Sequence, residues 1–288
     1  MKKLTIILFV LISVLSYGQG TIRESLLVKS KSMGKDIKYN IYLPADYDKT
    51  NRSYPVLYLL HGYSDDETGW TQFGEAGRIA DETIKSGIAP AMIIVMPDAG
   101  VTFYINNADG KQKYEDFFIN ELIPHVEATY RARAKKEFRG VAGLSMGGYG
   151  TMIMALKHTE LFAAAAPLSG AFWTDDDIAG MPAERWDGLF TGLFGKGAGK
   201  ERLSENWYRN SIFKIIETTP VEKLKSVKYY IDCGDDDFLI KGNMTLHDAL
   251  IDKAVPHEFR VRDGGHTWTY WRTALPEVMK FVGQSFIR

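Results

Sequence analysis

FRGVAGLSMGGYGTMIMALKH (138–158) changes character at one residue, Ser145. Upstream, FRGVAG reads as a buried strand, and downstream YGTMIMALKH reads as a helix. Glycines stand two residues to either side of the serine, at 143 and 147, with two more at 148 and 150. A strand that turns straight into a helix brings backbone against backbone, which small neighbours tolerate best. Such a turn is strained, and strained turns concentrate where the strain has a use. Strand, serine and helix in this order predict an open α/β sheet with the serine at a strand end.

The rest of the chain fits that prediction. KYNIYLP (38–44), PVLYLLHG (55–62), AMIIVMPDAG (91–100), FRGVAGLS (138–145), FAAAAPLSG (162–170), VKYYIDCGD (227–235) and HEFRVRDGG (257–265) read as strands. Several are continuous apolar runs, as expected where both faces of a parallel sheet are covered. Between them, residues 75–87, 115–133, 146–159, 243–255 and 274–286 read as helices. This alternation predicts a mostly parallel sheet with helices on both faces. KYNIYLP alternates more and belongs to an antiparallel N-terminal part. Residues 172–224 break the rhythm. They are rich in aromatics and predict an insertion or lid between two core strands. The GKGAGK run inside them lacks phosphate-loop spacing.

At 288 residues with a formal net charge of −1, the chain has no electrostatic case for nucleic acid or an anionic membrane. Its first twenty residues, MKKLTIILFVLISVLSYGQG, differ from the remainder. Lys2 and Lys3 precede an apolar run at 4–15, and Ser16 and Gly18 are small. That run is shorter than the roughly twenty residues a membrane span needs. It predicts a signal peptide (1–18) cut after Gly18, a secreted or periplasmic protein, and a single domain over 19–288. The one cysteine, Cys233, cannot form an internal disulfide and reads as a small buried hydrophobe.

A serine hydroxyl needs a base to become a nucleophile. Of six histidines, His125, His158 and His247 lie in helical patterns and His257 opens a strand. His61 (LLHGYSDD) and His266 (DGGHTWTYW) both follow strands at glycine-containing turns, where open α/β sheets build their sites. His266 comes late, in the serine–acid–histidine order of a nucleophile-elbow enzyme, and is the expected base. An orienting carboxylate comes from Asp235, Asp236 or Asp237 in IDCGDDDFLI; spacing alone does not choose among them. The triplet lacks the regular oxygen-ligand spacing of a calcium loop. Developing negative charge would meet the N–H of Met146, next to the serine, and that of Tyr63 in HGY (61–63), leaving His61 to shape the turn.

Taken together, LYLLHGYSDDETGW, IIVMPDAG, YEDFFINELIPHVE, RGVAGLSMGGYGT, CGDDDFLI and GGHTWTYW resemble an esterase family of α/β hydrolases. It includes esterase D (S-formylglutathione hydrolase), feruloyl and acetylxylan esterases of carbohydrate esterase family one, and the mycolyltransferases. The resemblance spans nearly the whole chain beyond the leader and is nearest to the feruloyl esterases. It implies an α/β-hydrolase fold, Asp237 as the acid, Tyr63 and Met146 as the oxyanion donors, and no metal or organic cofactor. It further implies a Ser145–His266–Asp237 esterase for feruloyl or acetyl groups on polysaccharide. The alternatives are an acyltransferase or thioesterase on the same triad, or a non-catalytic carbohydrate-binding protein. Trp173, Trp186 and Trp268 are the candidates for stacking a phenolic or sugar ring. The aromatic insertion is where this chain departs from the compact feruloyl esterases.

Overall fold

The computed structural model describes residues 18–286, so all of the predicted leader (1–18) except Gly18 lies outside the described residues. Eight strands form one sheet: β1 (Thr21–Ser30), β2 (Lys35–Leu43), β3 (Val56–Leu60), β4 (Ile93–Pro97), β5 (Arg139–Leu144), β6 (Ala164–Leu168), β7 (Lys228–Gly234) and β8 (His257–Arg262). Their order is β1-β2-β4-β3-β5-β6-β7-β8. All neighbours from β4 to β8 pair in parallel, and β2 runs antiparallel to both β1 and β4. The antiparallel reading of KYNIYLP therefore holds.

The continuous apolar runs have the expected cause. Every residue of β3, β4, β5 and β6 is buried, so the sheet is covered on both faces. Alternation along β3 divides the core: Tyr58 and Leu60 face one layer, Leu57 and Leu59 the other. The second layer holds α1 (Ala76–Lys85) and α4 (Trp268–Ser285). The first holds α2 (Met146–Lys157), α3 (Ile240–Asp252), the helical stretch 114–129 and the aromatic insertion.

Strand β1 was not expected from the sequence. TIRESLLVKS is an edge strand that is mostly exposed, so no apolar run marks it. Its register slips between Arg23 and Leu26, where Ser25 takes φ 48° and its N–H donates to Asn40 Oδ1 at 2.7 Å. Bulges and charges of this kind blunt an exposed sheet edge. The stretch read as a helix over 115–133 ends at Thr129, and it passes through a π turn at Phe118–Leu122 just before Pro124. A proline there has no N–H to donate, and a widened turn accommodates that. Helix α4 begins at Trp268, six residues before the expected start. Thr267 Oγ1 accepts from Tyr270 N–H, and Pro276 sits inside the helix instead of near its start.

The insertion between β6 and β7 is a set of short helices, among them Asp175–Gly180, Ala183–Leu189, Glu205–Asn210 and Ile212–Thr218. Its aromatic residues Trp186, Phe190, Phe194 and Trp207 are buried and join the first core layer. Tyr149 O–H on α2 donates to Asn210 O at 2.7 Å, fastening the insertion to the helix that follows Ser145.

Candidate active site

Ser145 stands between β5 and α2 with φ 54° and ψ −115°, the strained turn that the glycine neighbours foretell. Backbone strain of this kind costs about 1–3 kcal/mol. The end of β6 and the loop after it hold it in place: Ser145 N–H donates to Leu168 O at 2.9 Å, and Ser145 O accepts from Ala171 N–H at 3.1 Å. A Cβ on Gly147 would stand 2.5 Å from Leu60 O and 2.6 Å from His61 O. Only glycine lets the first turn of α2 close on the end of β3, which brings the His61–Gly62 backbone up against the elbow.

His266 follows β8. Its Nε2 is 2.9 Å from Ser145 Oγ, and its Nδ1 is 2.8 Å from Asp237 Oδ2. Asp237 is 2% exposed, and its other oxygen accepts from Leu239 N–H at 2.8 Å. Burial pushes the Asp237 carboxyl up. Hydrogen bonds from His266, Leu239 N–H and the Ser169 hydroxyl outweigh it and hold the group below the usual carboxylate range. An ionised Asp237 requires a proton on His266 Nδ1, so Nε2 is the free lone pair that faces the serine O–H. Close approach of the two loops depends on Gly234, where a Cβ would lie 2.0 Å from Gly264 O. The neighbouring aspartates differ. Asp235, Asp236 and Asp263 are exposed together, and Asp235 accepts from Gly264 N–H at 3.1 Å.

His61 is buried at 1% exposure and takes no part in that chain. Its Nε2 accepts from Ala99 N–H at 2.8 Å, so Nδ1 carries the proton and donates to Gly62 O at 2.8 Å. Burial holds its pKa below the ordinary histidine value, which keeps the ring neutral although Asp98 Oδ1 is 3.8 Å away. His61 thus pins the 61–63 turn, as the sequence reading has it. Tyr104 O–H adds a bond to His61 O at 2.9 Å. A Cβ on Gly62 would stand 3.6 Å from Ser145 Cβ, so this turn faces the elbow directly. Among the described residues, neither Tyr63 N–H nor Met146 N–H has an intramolecular acceptor.

The three tryptophans part ways. Trp186 is corrected: it is 1% exposed, its indole N–H donates to Gly195 O at 3.1 Å, and Phe190, Phe194 and Arg202 cover its ring. It is core of the insertion, with no face left for a ligand. Trp173 is half-buried against Phe103 and Phe190 and borders a cavity. Trp268 is half-buried between Trp70, Phe73 and Trp271. Cys233 is fully buried, and burial pushes its thiol up to about 12, as expected of a packing residue.

Three residues near the triad escaped the sequence reading. Phe238 is 71% exposed, with its ring 4.6 Å from the His266 ring. Trp271 meets His266 edge-on at 4.8 Å and donates its indole N–H to Ser169 Oγ at 3.0 Å. Ser169 is buried with φ 46°, at the end of the strand beside the elbow. Its signal was available: LSG at 168–170 repeats, one strand over, the small-residue exit seen at LSMG.

Comparison with known proteins gives the family and the fold. The family described as "Putative esterase" matches residues 30–282. The chain is 35% identical over 170 residues to an endo-1,4-beta-xylanase/feruloyl esterase of Xylanibacter ruminicola. That match covers 57% of this chain and 23% of the relative, so the chain spans about a quarter of that protein's length. It is 25% identical to an acetyl esterase of Caldicellulosiruptor saccharolyticus, covering 88% of this chain and 96% of the relative. Among solved structures, a ferulic acid esterase superposes with TM-score 0.79 at 32% identity, covering 93% of this chain and 99% of the other. Sheet order, elbow and the matched span lead to one assignment: the chain belongs to this esterase family of the α/β-hydrolase fold and is a carboxylic ester hydrolase.

Proposed function

We propose that the protein hydrolyses feruloyl or acetyl esters on polysaccharide through a Ser145–His266–Asp237 acyl-enzyme mechanism. The observation that carries this reading is the unbroken chain Ser145 Oγ–His266 Nε2, 2.9 Å, and His266 Nδ1–Asp237 Oδ2, 2.8 Å. Ser145 Oγ attacks the ester carbonyl as its proton passes to His266 Nε2. The carbonyl oxygen becomes an oxyanion held by the N–H groups of Tyr63 and Met146. Collapse breaks the bond to the alcohol oxygen, which takes the proton from His266 and leaves. Water then attacks the acyl-serine, giving its proton to the same imidazole, and the acid departs as Ser145 is restored. Asp237 keeps the imidazole in the productive tautomer and stabilises its protonated form. Each oxyanion donor supplies about 3 kcal/mol of barrier lowering.

The choice of acyl group and of polysaccharide is supported by the relatives named feruloyl and acetyl esterase. Export rests on the leader-like residues 1–18. Initial rates on methyl ferulate, acetylated xylan and p-nitrophenyl butyrate test the substrate. Ferulate or acetyl-xylan turnover at least tenfold above the butyrate is expected, and a preference for butyrate would contradict the proposal. N-terminal sequencing of protein recovered outside the cytoplasm should begin at Gln19.

A further inference from the structure

Phe238 is the most exposed large apolar side chain among the described residues, at 71%, and it immediately follows the buried Asp237. Its ring lies 4.6 Å from the His266 ring, on the general base itself. It also forms one wall of a cavity of about 540 Å³ whose other walls include Trp173, Asp176, Arg185 and Lys241. An exposed phenyl ring is unfavourable in water and gains on being covered. Its position decides what can cover it. The leaving oxygen must come within hydrogen-bond reach of His266 Nε2, so the group it carries passes over the neighbours of the imidazole.

The cavity chemistry narrows the occupant. Asp176, Asp177, Arg185 and Lys241 balance in formal charge, so a charged ligand gains no net field there. Asp177 caps its own helix through Thr174. The side chains of Asp176, Arg185 and Lys241 make no hydrogen bond or ion pair among the described residues. Free donors and acceptors beside two aromatic rings suit a neutral, hydroxyl-rich ring with one apolar face. An aromatic acyl group wants a mostly apolar slot instead.

We propose that this cavity receives the carbohydrate of the leaving alcohol, with Phe238 as the platform on which the sugar next to the ester stacks. The inference rests on the polysaccharide-ester reading above and adds where the sugar binds. Arg185 and Lys241 donate to its hydroxyls and Asp176 accepts from them, while Trp173 closes the far wall.

The test uses esters with a common acyl group: methyl ferulate against a feruloylated arabinoxylo-trisaccharide, and ethyl acetate against acetylated xylobiose. KM is measured for the wild type, for Phe238→Ala, and for the Arg185→Ala/Lys241→Ala double variant, whose changes lie away from the triad. The ratio of KM on the carbohydrate ester to KM on the simple ester should rise about tenfold in Phe238→Ala and about threefold in the double variant, with kcat on the carbohydrate ester changing less, as for loss of a uniform binding contact. A ratio that stays put in both variants, or an equal rise on both esters, overturns the subsite and assigns the cavity to the acyl group or to neither. A wild type that turns over neither carbohydrate ester overturns the polysaccharide reading and the subsite together. A wild type active on them with an unchanged ratio in the variants overturns the subsite alone.

Discussion

At the scale of single residues, the site is a set of environments that push like groups apart. Asp235, Asp236 and Asp237 are adjacent, yet only Asp237 is buried and bonded to the imidazole. Replacing it by asparagine keeps the shape but lets the amide donate to His266 Nδ1, which forces the proton onto Nε2. For Asp237→Asn we expect kcat to fall about 10⁴-fold with KM little changed; steady-state kinetics on p-nitrophenyl acetate would show it, and a fall under tenfold would remove Asp237 from the mechanism. The same residue has a stability signature. Its pKa is lower folded than unfolded, so its contribution is full above the unfolded value of about 3.9 and is lost as pH falls through the folded value. The thermal midpoint of Asp237→Asn should therefore fall less steeply than that of the wild type below about pH 4. His61 and His266 show the limit of sequence at this scale. Both follow strands at glycine turns, and order in the chain picked His266. Only coordinates reveal that both His61 nitrogens are engaged by backbone.

At the scale of elements, the elbow is a three-strand construction. Strand β5 delivers Ser145, β3 receives α2 through the Gly147 contact, and β6 with the loop that follows it bonds the serine backbone on both sides. A methyl at Gly147 meets two backbone carbonyl oxygens, Leu60 O at the end of β3 and His61 O in the buried turn after it. We expect Gly147→Ala to lower stability by about 3 kcal/mol and to reduce kcat more than KM, because it moves Met146 N–H from the oxyanion. Chemical denaturation paired with kinetics tests this, and a variant of wild-type stability and rate would show the contact to be soft. The elements were legible where burial on both faces writes an apolar run, as in VLYLL and IIVMP, and where strand gives way to helix at GLSMG. They were illegible where packing overrides local pattern. Strand β1 has no apolar signal because it lies at an exposed edge. Helix α4 carries Pro276 internally because its apolar residues from Tyr270 onward pack on the sheet.

At the scale of the whole molecule, one sheet separates two apolar layers, and the triad gathers at the C-terminal ends of β5, β7 and β8. The aromatic insertion was legible as an insertion from its composition. Which of its rings face solvent was not, because short helices without a strong period can bury either side. Trp186 shows the consequence: it was a candidate for substrate and is structural. Trp186→Ala should lower stability by about 3–5 kcal/mol and leave the KM for methyl ferulate within about twofold below the melting transition. A large KM change at unaltered stability would return Trp186 to the binding site. Phe238 was missed for the opposite reason, since an apolar residue in a loop gives no sign of standing open on a histidine.

The central claim is that Ser145 is the nucleophile and His266 its base, and covalent trapping tests it most directly. The protein would be treated with a fluorophosphonate ester, digested and mapped by mass spectrometry, alongside Ser145→Ala and His266→Ala. The expected result is one phosphonate on the peptide containing Ser145, loss of esterase activity in step with labelling, no label in Ser145→Ala, and labelling at least 10³-fold slower in His266→Ala. A stoichiometric adduct on any other residue, or ester turnover that persists in Ser145→Ala, would contradict it.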